Sequence, residues 1–383
     1  MAVQSMVGGG VDTGIQAKFV QVSKDLRKHL IERDEEIEVA LTALVAREHC
    51  LFVGIPGTAK TLLAESLAAW MSGSKFVVLL TKYTAPEELF GPFSLQKLKQ
   101  DIYERVTAGY LPEASCVVVD EIWKASSAII NTLLRVLNER KFRNGVNEID
   151  CPLQIAIACS NEFPNEDNGG RELSAAFDRF LFRKVVNPIK GAVGLDRLLW
   201  NGSHQPQLTT SISAAEIDRA ASDALGLPVS DEAKEAYRAI VAESRKEGIH
   251  VGDRRLKMGV KAARASAYVS GSAKVLPDHL GVLAHVLWDD PAEQPRKVGE
   301  IVGKIANPAG MAINSLLLEA EEVLGNTNAS DLAQAAVASN KLKDINKRLK
   351  AIADGGSLKA SDAVNYVEGE MLRIRKEAVG KFS

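Results

Sequence analysis

The sequence has few of the residues that hold small or metal-bound folds together. It contains four cysteines in 383 residues, and no two of them form a C-x-x-C pair. Disulfide-rich and zinc-ribbon folds require more cysteines at closer spacing, so both classes are excluded. Three of the four, Cys50, Cys116 and Cys159, lie in or beside apolar runs, where we expect small core residues in a reducing compartment.

A charge imbalance and long apolar runs are also absent. The formal net charge is −2, whereas a dedicated nucleic-acid-binding protein normally has a marked basic excess. No apolar run approaches the roughly 18 residues that cross a bilayer, and residues 1–6 lack the basic segment and apolar core of a secretory signal. We therefore expect a cytoplasmic protein without a membrane span. Nucleic acid is a disfavoured partner, although the net charge does not exclude a local basic stripe.

What the sequence does contain is a glycine-containing turn between an apolar run and a helical pattern. The run is Cys50–Val53, and the helical periodicity begins at Leu62. A strand, a loop and a helix with the spacing G-x-x-x-x-A-K-T are typical of a phosphate-binding loop, whose backbone N–H groups wrap an anion at the helix N-terminus. The predicted nucleotide contacts are Gly54, Ile55, Pro56, Gly57, Thr58, Ala59, Lys60, Thr61 and Leu62.

Two side chains of this loop have defined chemical roles in such a site. Lys60 is expected to reach the β- and γ-phosphate oxygens of a nucleotide, and Thr61 to hold Mg²⁺ through its hydroxyl group. Ala59 stands where the usual motif has a second glycine, so the loop must accommodate one methyl group. The alternative is a turn that binds nothing, but the presence of both Lys60 and Thr61 favours a nucleotide site.

Two carboxylates follow a second apolar run, Val117–Val119. A short apolar run that ends in Asp120 and Glu121 is typical of a buried parallel strand whose carboxyl end reaches a ligand crevice. Asp120 is then expected to orient the Mg²⁺ waters, and Glu121 to polarise the water that attacks the γ-phosphate. An N-terminal helix cap is the alternative for an Asp-Glu pair, and the position after an apolar strand favours the catalytic interpretation.

Further apolar runs predict the rest of a parallel sheet. Asn161 follows one of them and is placed to hydrogen-bond the γ-phosphate and the attacking water, although an isolated asparagine here is more often a turn residue. The Asn144-Gly145 pair between short strand-like runs is a strong hairpin signal. The other predicted strands are Phe76–Leu80, Leu153–Cys159 and Arg183–Val186.

Beyond Pro188 the patterns are almost wholly helical. Ser213 and Glu216 form a predicted capping box at the start of one of these helices. Leu342, Ile345, Leu349 and Ile352 recur at steps of three and four residues, which is a heptad-like seam. The segment 355–357 is expected to separate this helix from a returning helix over 358–381, so we predict a helical hairpin at this end.

Taken together, the sequence resembles the AAA+ ATPases of the MoxR family, most closely the RavA-like branch, over roughly residues 31–271. The resemblance lies in the phosphate loop and in several stretches that occur in the family's order. These stretches are 84–92, 107–114, 118–125, 138–145 and 252–255.

The resemblance implies an α/β fold: an αβα nucleotide-binding core with a parallel sheet, then an all-helical lid and a helical extension. The expected boundaries are a disordered segment 1–13, a core 14–188, a lid 189–290 and an extension 291–383. The family's insertion in the second core helix corresponds to Glu87–Arg105. The resemblance also implies ATP and Mg²⁺ as ligands and a homo-oligomeric ring, usually a hexamer, with ATP at the subunit interfaces.

The resemblance assigns roles to arginines that would otherwise be interpreted as solvated surface charges. Arg179, in Asp178-Arg179-Phe180, resembles the arginine that reaches a neighbouring subunit's γ-phosphate, with Arg183 as the second choice. Arg254 resembles the second sensor, which reaches from the lid over the same nucleotide, with Arg255 as the second choice. Asn161 resembles the first sensor, and Asp120 with Glu121 the second Walker motif.

The function that follows is that of an ATPase that remodels or helps mature a client protein. The family's frequent pairing with von Willebrand factor A-domain proteins makes such a protein the expected partner. The alternatives are a nucleic-acid motor, which the charge balance disfavours, and a nucleotide-gated scaffold with little turnover, which Glu121 and Asn161 disfavour.

Overall fold

The computed structural model of the chain describes residues 11–163, 176–200, 206–327, 331–354 and 358–379. The predicted disorder of residues 1–10 and the predicted helix break at 355–357 lie outside these ranges. The chain divides into two compact units, Met1–Gly299 and Glu300–Ser383. The boundary lies close to the predicted start of the C-terminal extension at residue 291.

A five-stranded parallel sheet forms the centre of the first unit, with the order β2-β3-β6-β1-β7. Its register aligns Cys50 of β1 with Ile157 of β6 and with Phe182 of β7. The central strands are buried along their whole length, as expected of continuous apolar runs covered on both faces. The predicted parallel α/β sheet is therefore confirmed. The strands are β1 Cys50–Val53, β2 Lys75–Leu79, β3 Cys116–Asp120, β6 Ile155–Ser160 and β7 Phe182–Val185.

Helices that precede and connect these strands build the rest of the nucleotide-binding core. The first begins at Thr13, where the Asp12 carboxylate caps it by accepting hydrogen bonds from the Gly14 and Ile15 N–H groups. The core helices are α1 Thr13–His29, α2 Asp34–Val45, α3 Lys60–Trp70, α4 Pro86–Phe90, α5 Leu95–Leu98 and α6 Ser127–Glu139.

The predicted hairpin is present as strands β4 Lys141–Asn144 and β5 Asn147–Asp150. The Asn144 side chain accepts from the Arg105 N–H at 2.7 Å and donates to the Arg105 carbonyl at 3.0 Å. Gly145 has a φ of +63°, and a Cβ there would lie 2.3 Å from the Tyr103 carbonyl oxygen. The turn therefore requires glycine for both its conformation and its contact with the inserted segment, in which Phe93 pairs with Arg105.

In the part of the chain that the structure describes, β7 is followed by four helices and one 3-10 segment, where the lid is predicted. Ser213 and Glu216 form the predicted capping box. The 3-10 segment is Pro277–His285. The four helices are α7 Ala192–Trp200, α8 Ala214–Gly226, α9 Asp231–Lys246 and α10 Asp253–Val269.

The second unit is a three-helix bundle with a core of its own. Helix α11, Gln294–Ala306, spans the unit boundary, and the bundle consists of α12 Pro308–Gly325, α13 Leu332–Ala353 and α14 Leu358–Val379. The predicted seam is buried at Leu342, Ile345 and Leu349. The two helices of the predicted hairpin pack together as α13 and α14, and α12 contributes to the same core. In the part of the chain that the structure describes, no single helix is both long and apolar enough to cross a membrane, and only the bent pair α11–α12 passes this test jointly.

Candidate functional site

The loop between β1 and α3 has the backbone of an anion-binding turn. Gly57 has a φ of +80° and Ala59 a φ of +63°, so the alanine adopts the left-handed conformation that glycine usually supplies. A Cβ on Gly54 would lie 2.2 Å from the Val186 carbonyl oxygen, so the loop begins in close contact with the end of β7. The loop N–H groups precede the N-terminus of α3, where its dipole favours an anion.

Lys60 is the most enclosed charged side chain of this loop, with 6% of its surface exposed. Its ammonium group donates to the Gly54 carbonyl at 2.7 Å, to the Ile55 carbonyl at 2.9 Å and to the Asn161 side-chain oxygen at 3.0 Å. Burial lowers the pKa of Lys60, and the negative charges of Asp120 and Glu121 oppose that shift. The lysine is therefore held over the loop by fixed oxygen acceptors.

The two predicted magnesium ligands are in direct contact. The Thr61 hydroxyl donates to the Asp120 carboxylate at 2.9 Å, and the other oxygen of Asp120 accepts from the Glu121 N–H at 2.9 Å. A hydroxyl and a carboxylate side by side are hard oxygen donors, which fit Mg²⁺ bound through one or two side chains and a phosphate. The residues present therefore fit the implied metal.

Glu121 lies beside Asp120 with its backbone in the left-handed region, at a φ of +53°. The Asn161 amide donates to one of its carboxylate oxygens, while the same amide group accepts from Lys60. Lys124 lies 3.7 Å from the other oxygen, which is buried and has no hydrogen-bond partner among the residues that the structure describes. The Asn161 amide thus orients one oxygen of the Glu121 carboxylate, and the other oxygen can accept a hydrogen bond from a water. A residue that positions a water requires both features.

The structure brings together Lys60, Thr61, Asp120, Glu121 and Asn161, as the sequence predicts. It also adds a contact that no motif signalled. Arg33, 5% exposed and at the start of α2, donates from Nε to the Thr58 carbonyl at 3.0 Å. The adjacent Glu32 carboxylate accepts from the Lys190 and Gly191 N–H groups, so this turn joins the phosphate loop to the start of the lid.

Arg179 and Arg254 lie elsewhere, at the wall of a cavity of about 330 Å³. The cavity is also lined by Glu48 and His49, which directly precede β1, and by Asn138 near the end of α6. The phosphate loop follows the opposite, carboxyl end of β1, and no phosphate-loop residue lines this cavity. Arg254 therefore shares its position with Arg179, in keeping with the expectation that both reach the same nucleotide, and both roles stay predictions.

Arg183 and Arg255, the second choices, are more deeply buried than these two arginines. Arg183 is 1% exposed and donates to the Phe180 carbonyl at 3.0 Å and the Trp288 carbonyl at 2.6 Å. Arg255 also lines the cavity, but it is 7% exposed and donates to the Leu181, Val286 and Asp178 carbonyls. These fixed acceptors favour Arg179 and Arg254 as the arginines that act on a nucleotide, and the assignment stays a prediction.

His49 lies at the base of the same cavity as a neutral imidazole. Burial lowers its pKa to about 4. One ring nitrogen accepts from the Ala156 N–H at 3.0 Å, so the other carries the proton and donates to the Leu137 carbonyl at 2.8 Å. His49 therefore joins β1 to α6 and β6. Because its imidazole is neutral, the positive charges at the cavity wall come from the arginines.

Family models match two consecutive parts of the chain. A family model described as the MoxR domain in the MoxR-vWA-beta-propeller ternary systems matches residues 17–224, and a model described as an AAA lid domain matches residues 234–302. A crystal structure of a protein from Cytophaga hutchinsonii superposes with a TM-score of 0.61 at 17% identity, over 77% of this chain and 96% of that one. At that identity the superposition shows the fold alone.

Relatives among curated proteins cover most of the chain. An uncharacterized protein of Methanocaldococcus jannaschii is 37% identical over 330 residues, which are 85% of this chain and 82% of that protein. A second from the same organism is 32% identical over 368 residues, 95% of this chain and 91% of that protein. The chaperone MoxR1 of Mycobacterium tuberculosis is 25% identical over 283 residues, 69% of this chain and 72% of that protein.

Proposed function

This chain belongs to the MoxR family of AAA+ ATPases, and we propose that it hydrolyses ATP to remodel or help mature a partner protein. The observation that carries the proposal is the contact chain Lys60–Asn161–Glu121 beside the Thr61–Asp120 pair. These groups bind phosphate, orient a metal and orient a water, which are the parts that phosphoryl transfer needs. The placement in the RavA-like branch stays a prediction.

Each side chain of the site has a separate role in the proposed reaction. The loop N–H groups and Lys60 hold the β- and γ-phosphates, and Thr61 and Asp120 would hold Mg²⁺, which when bound neutralises charge on the phosphate oxygens. Glu121 orients and polarises the attacking water through its free carboxylate oxygen. Asn161 fixes Glu121 relative to Lys60, so the water and the phosphate are aligned by one amide group.

The arginine pair completes the site of a neighbouring subunit in the proposed ring, which we take to be a hexamer. Arg179 and Arg254 lie at the edge of the sheet opposite their own phosphate loop, so neither serves its own nucleotide. A head-to-tail ring places that edge against the phosphate loop of the next subunit. Both arginines then stabilise the charge that develops on the γ-phosphate.

Mixing two inactive variants tests this arrangement. Lys60→Ala subunits cannot hold the nucleotide phosphates but still offer both arginines, whereas Arg179→Ala subunits retain an intact loop. Each protein alone is expected to be inactive. In mixed rings, an Arg179→Ala site that faces a Lys60→Ala neighbour has every group it needs, so ATPase activity should return and should peak at intermediate mixing ratios.

The control for mixing is the double variant, in which both substitutions are on one chain. Rings of the double variant mixed with Lys60→Ala have no interface with an intact loop, and they should stay inactive at every ratio. If exchange of subunits is demonstrated and the two single variants still recover no activity, the arginines do not act between subunits.

The three-helix bundle is the proposed docking module for the partner. A von Willebrand factor A-domain protein is the expected partner, and the matching family model is named for systems that contain such a protein. The bundle has its own core, and large apolar side chains remain exposed on it at Leu318, Val337 and Leu372. It therefore has a folded body and an apolar surface outside the residues that ATP requires.

Removal of residues 307–383 tests this role. Because the bundle's core is internal, the truncated protein should keep ATP binding and hydrolysis while losing capture of the von Willebrand-type protein. The measurement is co-purification of the two proteins alongside the ATPase rate. A matched control is the full chain with Leu318, Val337 and Leu372 changed to serine, which should lose the partner without losing the bundle. Capture that survives in both would contradict a docking role.

A further inference from the structure

Two buried arginines and two half-exposed aspartates form a compact cluster between the core and the lid of the first unit. This ionic quartet consists of Asp178, Arg183, Arg255 and Asp289. Arg255 contacts the Asp178 carboxylate at 2.8 Å and that of Asp289 at 3.4 Å. Arg183 contacts the same carboxylates at 3.5 Å and 3.1 Å. The four charges therefore alternate and sum to zero.

The quartet is enclosed by backbone and aromatic groups as well as by charge. The Arg183 guanidinium lies 4.0 Å from the centre of the Phe177 ring and 5.6 Å from that of Trp288. The surroundings give both arginines fixed acceptors from core and lid alike, including the Trp288 and Leu181 carbonyls. A planar guanidinium with several fixed acceptors resists rotation, and through these charge-assisted hydrogen bonds the quartet joins residues of the core to residues of the lid.

Two members of the quartet are chain neighbours of Arg179 and Arg254, and three of its four members line the same cavity. Asp178 directly precedes Arg179, and Arg255 directly follows Arg254. Arg255 donates both to the Asp178 carboxylate and, at 3.1 Å, to the Asp178 carbonyl. One side chain of the lid thus holds the backbone that presents Arg179 and is itself attached to the backbone that presents Arg254.

From this geometry we propose that the ionic quartet is a positioning device that sets the spacing between Arg179 and Arg254. The inference rests on the proposed action of these arginines in the neighbouring site. Two cations that serve one γ-phosphate must keep a fixed separation, because misplacement by about 1 Å can cost about 100-fold in rate. Asp289 is the quartet member farthest along the chain from Arg179 and Arg254, so Asp289→Asn leaves the residues next to them in sequence unchanged, although its carboxylate lines the same cavity.

The test changes Asp289 separately in the two kinds of subunit of the mixed ring. In the Lys60→Ala subunit, which supplies the arginines, Asp289→Asn should lower the recovered kcat by about ten- to hundredfold and leave the KM for ATP unchanged. In the Arg179→Ala subunit, whose cavity arginines face an inactive site, the same substitution should leave recovered activity nearly unchanged. This asymmetry is a readout that a merely structural role does not produce.

Two further variants serve as controls. Asp289→Glu keeps the negative charge and should restore part of the lost kcat. Asp290→Asn makes the same chemical change at the next residue, whose exposed carboxylate accepts a hydrogen bond from the Ala292 N–H at 2.9 Å. This variant should leave the recovered kcat unchanged in either kind of subunit.

The outcomes separate this inference from the function on which it rests. An equal loss from both subunits, or no loss from either, would overturn the positioning role of the quartet. Absence of any recovery in mixed rings that lack an Asp289 substitution would overturn the shared site itself, and the inference with it.

Discussion

Arg179→Ala is expected to lower the ATP turnover rate by about 10³–10⁵-fold, the range over which an arginine that stabilises transferred phosphoryl charge acts. The structure gives the reason for a selective effect on turnover. Arg179 lies in the cavity with Arg254, away from its own phosphate loop, so ATP binding by the changed subunit should be preserved. Binding of a fluorescent ATP analogue, measured beside steady-state phosphate release, checks both halves of the prediction.

Two variants sharpen this measurement. Arg179→Lys keeps the charge but lacks the planar fork that matches phosphate oxygens, so it should recover little of the lost rate. Arg238→Ala removes an exposed arginine from α9 of the lid and should behave as the parent protein. A turnover rate for Arg179→Ala within a few-fold of the Arg238→Ala rate would remove Arg179 from the proposed site.

Glu121→Gln is expected to bind ATP and Mg²⁺ normally and to lose about 10²–10⁴-fold in hydrolysis, the usual contribution of a positioned general base. The amide is close in size to the carboxylate and can still accept from Asn161, so the surroundings should stay intact. An amide oxygen polarises water poorly because it carries no negative charge. Single-turnover hydrolysis of bound ATP measures the chemical step directly.

The matched control for this prediction is Glu65→Gln, an identical change at an exposed position about one turn after Thr61 on α3. It should leave hydrolysis unchanged. Single-turnover rates that agree between Glu121→Gln and Glu65→Gln would show that Glu121 does not activate the water.

The sequence predicted those parts of the site whose geometry depends on one short segment. The residue spacing from Gly54 to Thr61 determines the loop conformation independently of distant segments. An apolar strand that ends in Asp120-Glu121 determines where the two carboxylates lie. Parallel strands end at one edge of the sheet, so the same reasoning placed Asn161 beside Lys60. Local pattern and sheet geometry were sufficient here.

The arginines could not be placed in this way, because their surroundings come from distant segments. Arg183 and Arg255 are buried by Trp288 and by Asp289, more than thirty residues farther along the chain. No spacing in the sequence distinguishes them from Arg179 and Arg254, which are less buried. The packing of α12 could not be predicted for a related reason, since it depends on the core that α12 shares with Leu342 and Ile345.

The strand order has a consequence for how the protein is made. β1 leaves the ribosome early, yet its partners begin only at residues 155 and 182. At about 5–20 residues per second, the Cys50–Val53 segment waits roughly 5–20 seconds for its first neighbour. The bundle pairs helices that are adjacent in the chain and has no such delay. During synthesis, an exposed apolar strand and an unformed phosphate loop therefore coexist, and shielding of residues 50–53 by a general chaperone would protect the future ATP site from aggregation.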